Sequence, residues 1–204
     1  MIKQILFDCG GVLAQMQLRD VMLKISGSED VANYFIRNIW SKGSPWLRFD
    51  KGEISISEVV VELKKFMPEI CPTYVEEIVN NWFDGLPIMD GMEEIVDALH
   101  EQGYPCYLLS NFDERFEELC ERIPVLKKLD GVVVSYRVHM LKPDPAIYQH
   151  TAETFGFELE ETLFVDDTIV NIESAKKIGL EGYLFTTPVA FCNYLKEQKI
   201  LPSN

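Results

Sequence analysis

Apolar positions along the 204-residue chain follow two rhythms, and the change between them divides it. Ile2-Lys3-Gln4-Ile5-Leu6-Phe7 is short, mostly apolar and β-prone, and it runs straight into Asp8-Cys9-Gly10-Gly11. That pattern predicts a buried strand ending in a sharp turn. From about residue 18 to residue 83 the apolar residues instead recur at helical spacing: Val31, Phe35, Ile39 and Trp40; Val59, Val60, Leu63 and Phe66; Val75, Ile78, Val79 and Trp82. Breakers at Gly43-Ser44-Pro45, at Gly52 and from Pro68 to Pro72 separate the groups, so this segment is predicted to be all-helical.

After Pro87 short buried runs at residues 105–111, 131–135, 163–167 and 181–185 alternate with amphipathic stretches at 91–102, 146–155 and 170–178. The stretches close near Gly103, Gly156 and Gly179, as helix C-termini do. Strand alternating with helix implies a parallel sheet covered on both faces. The opening strand is too short to make a core alone, so it is expected in the same sheet. The organisation that follows is an α/β domain formed by residues 1–14 and 86–204, with an α-helical block, residues 15–85, inserted after the first strand.

Charge narrows the partners. With 33 acidic and 19 basic residues the net charge is −14, and no cluster of Lys or Arg offsets it. Long-range repulsion of the phosphate backbone argues against a nucleic-acid partner. A small anionic substrate stays compatible, because a few local cations or a bound divalent metal reverse the field within one pocket. No apolar run approaches the roughly 18 residues that spanning a bilayer takes, and the opening segment reaches Asp8 too early for a signal-peptide core. No membrane partner and a cytoplasmic location are therefore expected. Cys9, Cys71, Cys106, Cys120 and Cys192 show no metal-binding spacing and read as reduced thiols.

Ligands of open parallel sheets bind where strands run out into loops at the carboxyl edge. Asp8, Ser110-Asn111 and Asp166-Asp167 all fall at such strand ends, and Lys142 lies in the loop Met140-Leu141-Lys142-Pro143-Asp144-Pro145 that opens a helix. Folding would gather three carboxylates, one ammonium and a hydroxyl/amide pair at one cleft. That set suits metal-assisted phosphoryl transfer: hard oxygen ligands for Mg²⁺, a Lys as point charge, hydrogen-bond donors for phosphoryl oxygens, and a spare carboxylate as nucleophile.

The same residues carry a resemblance. Phe7-Asp8-Cys9-Gly10-Gly11-Val12-Leu13, Leu108-Leu109-Ser110-Asn111, Lys142-Pro143-Asp144-Pro145-Ala146-Ile147-Tyr148 and Phe164-Val165-Asp166-Asp167, continuing to Asn171, Ala175 and Gly179, resemble the four ordered motifs of the haloacid dehalogenase-like hydrolase superfamily. The inserted helices are similar to that superfamily's helical cap, and the nearest subgroup is its small bacterial sugar-phosphate phosphatases. The resemblance implies a Rossmann-like parallel-sheet core with an inserted α-helical cap. It also implies a small phosphorylated metabolite as substrate. Under it Asp8 attacks phosphorus and forms an aspartyl-phosphate, Ser110 and Asn111 orient the phosphoryl group, and Lys142 neutralises charge. Mg²⁺ sits on Asp8, the main-chain carbonyl of Gly10 and Asp166, with Asp167 a direct or water-mediated fourth ligand.

One position departs from the pattern. Most phosphatases of this superfamily carry a second Asp two residues after the nucleophile, as proton donor to the leaving group and base for water; here Gly10 stands there. The carbonyl ligand survives, but the proton relay does not. His139 is a weak replacement, and Glu53 or another carboxylate of the inserted block is the other candidate. Two rival readings remain. A metal-free haloacid dehalogenase is disfavoured by the acidic pair Asp166-Asp167, and a silent binding module by retention of Asp8, Lys142 and that pair. Arg19, Arg37, Lys42, Trp46, Arg48 and Glu53 are the residues of the block considered for contact with the substrate. Trp40, Trp46 and Trp82 read as core, Cys9 as pointing into packing, and Asp113-Glu114 with Glu117-Glu118 as a solvated helix face.

Overall fold

The first four strands are short, mostly apolar runs whose alternate residues bury against opposite layers, whereas the fifth, Glu181–Leu184, is exposed at both ends; the long helices carry one apolar stripe. The computed structural model describes residues 1–203. Its order is β1 (Gln4–Phe7), α1 (Leu18–Ser26), α2 (Glu29–Ile39), α3 (Pro45–Asp50), α4 (Ile56–Phe66), α5 (Pro72–Asn81), α6 (Met92–Glu101), β2 (Cys106–Ser110), α7 (Phe116–Arg122), β3 (Gly131–Val134), α8 (Ser135–Val138), α9 (Pro145–Phe155), β4 (Thr162–Asp166), α10 (Ile169–Lys177), β5 (Glu181–Leu184) and α11 (Pro188–Glu197). Local signals set many of these boundaries. Ser55 and Glu58 form a reciprocal capping box at the start of α4. Asp144 caps α9, whose first residue is Pro145, and Gly156 takes the left-handed conformation just past its end.

The five strands form one parallel sheet in the order β3-β2-β1-β4-β5. The two faces bury different sets. Ile5, Phe7, Leu108 and Val165 pack with Met92, Val96 and Leu99 of α6 and Phe191 and Leu195 of α11, within the larger core cluster. Leu6, Leu109 and Phe164 pack on the other face with Ile147 and Tyr148 of α9 and Ile172 and Ala175 of α10. The chain therefore leaves β1 towards β2 on one side and returns as β4 on the other, which makes the end of β1 the switch point of the sheet, where a crevice opens.

Helices α1 to α5 all lie between β1 and α6. Two neighbouring stretches of backbone link them to the sheet: Gln15 N–H donates to the Pro87 carbonyl at 2.8 Å, Gln17 N–H to Gly85 at 2.7 Å, and Met89 N–H to Leu13 at 3.2 Å. Ala14 and Ile88 form an antiparallel bridge at the same place. A buried hydroxyl makes a further tie. Ser135, the first residue past β3, donates to the Asp50 carbonyl of α3 and accepts from Phe112 N–H at 2.9 Å. Among the described residues no helix is long and apolar enough to cross a membrane.

Candidate active site

Asp8 is the first residue beyond β1, and Asp166 is the last of β4. Register pairs Phe7 with Val165, so the two carboxylates stand one step further along on adjacent strands. Lys142 enters from the loop before α9, 4% exposed, and its Nζ lies 2.8 Å from Asp8 Oδ1 and 2.8 Å from Asp166 Oδ2. Asp166 is fully buried and fully partnered: it also accepts from Thr168 N–H at 2.8 Å and from Asn171 Nδ2 at 3.0 and 3.1 Å. Burial works against the Lys142 charge, but Asp166 and Asp8 outweigh it and hold the ammonium above its ordinary value.

Asp167 completes the acidic group. One oxygen from each of Asp8, Asp166 and Asp167 lies within 4.8 Å of the others. The turn after Asp8 has been shaped to let Asp167 in. Gly11 has φ +77°, and a Cβ there would lie 2.0 Å from Asp167 Oδ2, so only glycine fits. Three carboxylates facing one ammonium make an incomplete electrostatic set. Burial drives Asp8 up to about 8 in spite of Lys142, with Asp166 and Asp167 adding to the rise. Asp167 is exposed, but partial desolvation raises it too, again with Asp166 contributing. A hard divalent cation among these oxygens would relieve both effects, so the residues present fit such an ion.

Around this group opens a cavity of about 750 Å³, which Asp8, Gly10, Ser110, Asn111, Lys142 and Asp167 line. The residues picked out at the strand ends thus meet at one place. The Asn111 amide is committed to the main chain of Lys142: Oδ1 accepts from Lys142 N–H at 2.9 Å, and Nδ2 donates to the Lys142 carbonyl at 2.9 Å. Its side chain fixes the lysine loop. Ser174 of α10 donates to the Pro143 carbonyl at 2.5 Å and holds the same loop, while Tyr148 of α9 donates to the Asn171 carbonyl of α10 at 3.1 Å. At Gly10 a Cβ would lie 2.8 Å from Met16 Sδ, so a thioether stands where a side chain would begin.

A family model described as haloacid dehalogenase-like hydrolase matches residues 2–179. The chain belongs to the haloacid dehalogenase-like hydrolase family. Among relatives of this hydrolase, a sesquiterpene phosphatase of Aspergillus oryzae is 25% identical over 202 residues, covering 96% of this chain and 95% of the relative. The D-ribitol-5-phosphate phosphatase of Bacteroides thetaiotaomicron is 26% identical over 193 residues, covering 90% and 91%. A magnesium complex of a haloacid dehalogenase family enzyme from the same bacterium superposes with a TM-score of 0.69 at 26% identity, over 91% of this chain and 94% of the other.

In this haloacid dehalogenase-like hydrolase several side chains sit elsewhere than the sequence suggests. Asp113 is not on a solvated face: it is fully buried, and Arg115 Nε and Nη2 grip it at 3.0 and 2.9 Å while Trp82 Nε1 donates at 3.2 Å. Only a bidentate partner two residues along makes that burial tolerable. Trp40 is 39% exposed at the cavity wall instead of in the core, whereas Trp46 and Trp82 are buried and still line the cavity. His139 is exposed with Nδ1 2.9 Å from the Lys51 carbonyl, and it shares a separate cavity with Glu53. Glu53 pairs with Lys51 at 2.8 Å, Arg48 with Glu62 at 2.7 Å, and Arg19 with Glu29. Cys9 does point into packing, and its burial pushes the thiol up. The carboxylate that the inserted helices do bring to the Asp8 cavity is Asp50.

Proposed function

We propose that this hydrolase is a Mg²⁺-dependent phosphatase that cleaves a small phosphomonoester through an aspartyl-phosphate on Asp8. The observation that carries the reading is the ion cluster at the switch point, with Lys142 between Asp8 and Asp166 and three carboxylates converging beside it. The two phosphatase relatives and the magnesium complex support it. Asp8, Asp166, Asp167 and the main-chain carbonyl of Gly10 would hold the ion. When bound, it supplies charge neutralisation to the phosphoryl oxygens and keeps Asp8 ionised. Residues 15–85 serve as a helical cap over the core of residues 1–14 and 86–204.

In the chemistry, an Asp8 oxygen attacks phosphorus as the bond to the leaving oxygen breaks, and the leaving oxygen keeps the electron pair. Ser110 and the main chain around Asn111 orient the phosphoryl group, while Lys142 neutralises charge on nucleophile and phosphate. Water then attacks phosphorus and returns Asp8 as a carboxylate with release of inorganic phosphate. No acid at position 10 delivers a proton to the leaving oxygen, so solvent does. Loss of such help costs about 10²–10⁴ in rate and weighs most on poor leaving groups. Anomeric sugar, aryl and acyl phosphates are the preferred substrates on this reading.

Phosphate release in Mg²⁺ tests it. Acetyl and aryl phosphates are expected to turn over at least about tenfold faster than primary-alkyl phosphates, EDTA to stop release and added Mg²⁺ to restore it. Rapid-quench sampling is expected to show a phosphoenzyme burst, because the base for water is missing too. No Mg²⁺-dependent release across the panel overturns the reading, and halide release from 2-haloacids in EDTA would put the dehalogenase in its place.

The turn after the nucleophile makes a separate prediction. Gly11→Ala places a Cβ on Asp167 Oδ2 and strains the backbone at φ +77°. Asp167 must move, and the Mg²⁺ concentration for half-maximal activity is expected to rise by roughly 10–100-fold. A magnesium titration with circular dichroism on the same sample checks it; an unchanged titration would place Asp167 outside the metal site.

A further inference from the structure

The two ends of the Asp8 cavity differ in chemistry. The sheet and its loops supply the charged and hydrogen-bonding groups already assigned to the phosphoryl end, together with Asp144 and Thr168. The inserted helices and the segment leaving them supply Met16, Trp40, Trp46, Leu47, Trp82 and Leu86, and one carboxyl group, Asp50. Part of the aromatic wall is closely packed: Trp46 and Trp82 meet edge to face at 5.4 Å, and Trp82 lies 4.9 Å from Phe112. The Trp82 indole N–H is already spent on Asp113. A sugar or other polyol leaving group would bury several hydroxyls against this wall with few partners, and unpartnered buried hydroxyls are costly, so the wall narrows the preferred leaving groups to aryl and other apolar ones.

Asp50 stands out on that wall. It is 4% exposed, and its Oδ1 is the one buried side-chain oxygen or nitrogen without a hydrogen-bond partner among the described residues. Its surroundings disfavour a carboxylate. It ends α3, where the helix terminus is itself negative, and burial with the nearby Asp113 lifts its pKa well above the usual range against the pull of Trp46 and Arg115. The groups that face it are therefore one paired acid, one paired base and an indole, none of which uses its free oxygen. A buried polar group that the fold leaves unsatisfied calls for a partner from outside the chain.

We propose that the leaving-group end of this cavity takes an apolar aromatic or hydrocarbon group bearing one hydrogen-bond acceptor, and that Asp50 is the specificity residue that binds that acceptor. The neutral acid donates its O–H there, as an uncharged carboxyl in an apolar site does. This inference rests on the phosphatase reading and names the substrate class for it.

The test compares esters whose leaving oxygens are alike, all primary alkoxides: benzyl phosphate, its three methoxy isomers and glycerol 3-phosphate, with Mg²⁺ and the full chain. Benzyl phosphate is expected to exceed glycerol 3-phosphate in kcat/KM by roughly tenfold or more. At least one methoxy isomer is expected to exceed benzyl phosphate by roughly three- to tenfold through a lower KM. Asp50→Leu is expected to erase that methoxy advantage, while Asp50→Asn, which keeps a donor, retains it. Asp50→Leu is also expected to raise Tm by roughly 2–4 °C, since it removes an orphaned buried group. A carboxyl that merely held the fold together would give a lower Tm and no change in preference, and that result overturns the assignment. Equal or better turnover of glycerol 3-phosphate, or no methoxy advantage, overturns the substrate class. No phosphate release even from acetyl or 4-nitrophenyl phosphate would mean instead that the phosphatase reading fails.

Discussion

Asp8→Asn is expected to lower phosphate release by roughly 10³-fold or more while the protein stays folded. The side chains are isosteric, so packing at the end of β1 is kept, and the Cys9 N–H that donates to Asp8 Oδ1 at 2.6 Å still finds an oxygen. What disappears is the anionic oxygen that attacks phosphorus; a neutral amide oxygen is a far weaker nucleophile. Lys142 keeps Asp166 at 2.8 Å, so the variant does not strand a buried ammonium. The check is a pair of measurements: phosphate release with acetyl phosphate, and an unfolding curve in urea. Full activity in the variant would remove Asp8 as nucleophile. Acid-quenched samples are expected to hold a labile phosphoryl group in the native chain and none in the variant.

Lys142→Met is the second large effect, and it acts on stability as well as rate. The side chain is 1% exposed and is the cation shared by Asp8 and Asp166. Without it three acidic groups face one another in a largely buried site, and breaking a buried ion pair from one side costs about 3–5 kcal/mol. In EDTA the urea midpoint is expected to fall accordingly. Saturating Mg²⁺ is expected to recover part of the loss, because the ion binds only the folded cluster. Turnover stays down by roughly 10²–10³-fold, since a charge aimed at the transferring phosphoryl group is missing. A variant as stable as the native chain in EDTA would mean that Lys142 does not balance these acids.

Much of the site is readable in order along the chain because each motif is local: an apolar run, then a polar residue where the run stops. Asp8 after Phe7, Ser110 at the end of β2 and Asp166 at the end of β4 follow from that rule, as do the helices closing near Gly103 and Gly156. Asn111 shows where the rule ends. Its position at the strand end is legible, yet whether the amide faces substrate or the Lys142 backbone depends on a loop thirty-one residues away. Asp113 fails for the same reason, because an Asp followed by Glu114 has the look of surface until Arg115 and Trp82 fold over it.

The sequence by itself determined the strands and most of the helices, though not α8 or the closing α11, as well as which strand ends carry acids and bases and which family they belong to, since these depend on residue type and near-neighbour spacing. The tertiary structure alone decided that Asp113 is buried, that Asn111 holds a lysine loop, that Met16 stands against Gly10 and that Asp50 reaches the cavity without a partner. Burial and unmet hydrogen bonds are properties of what lies on every side of an atom. Those neighbours come from strands and helices far apart in the chain, so no local pattern can encode them.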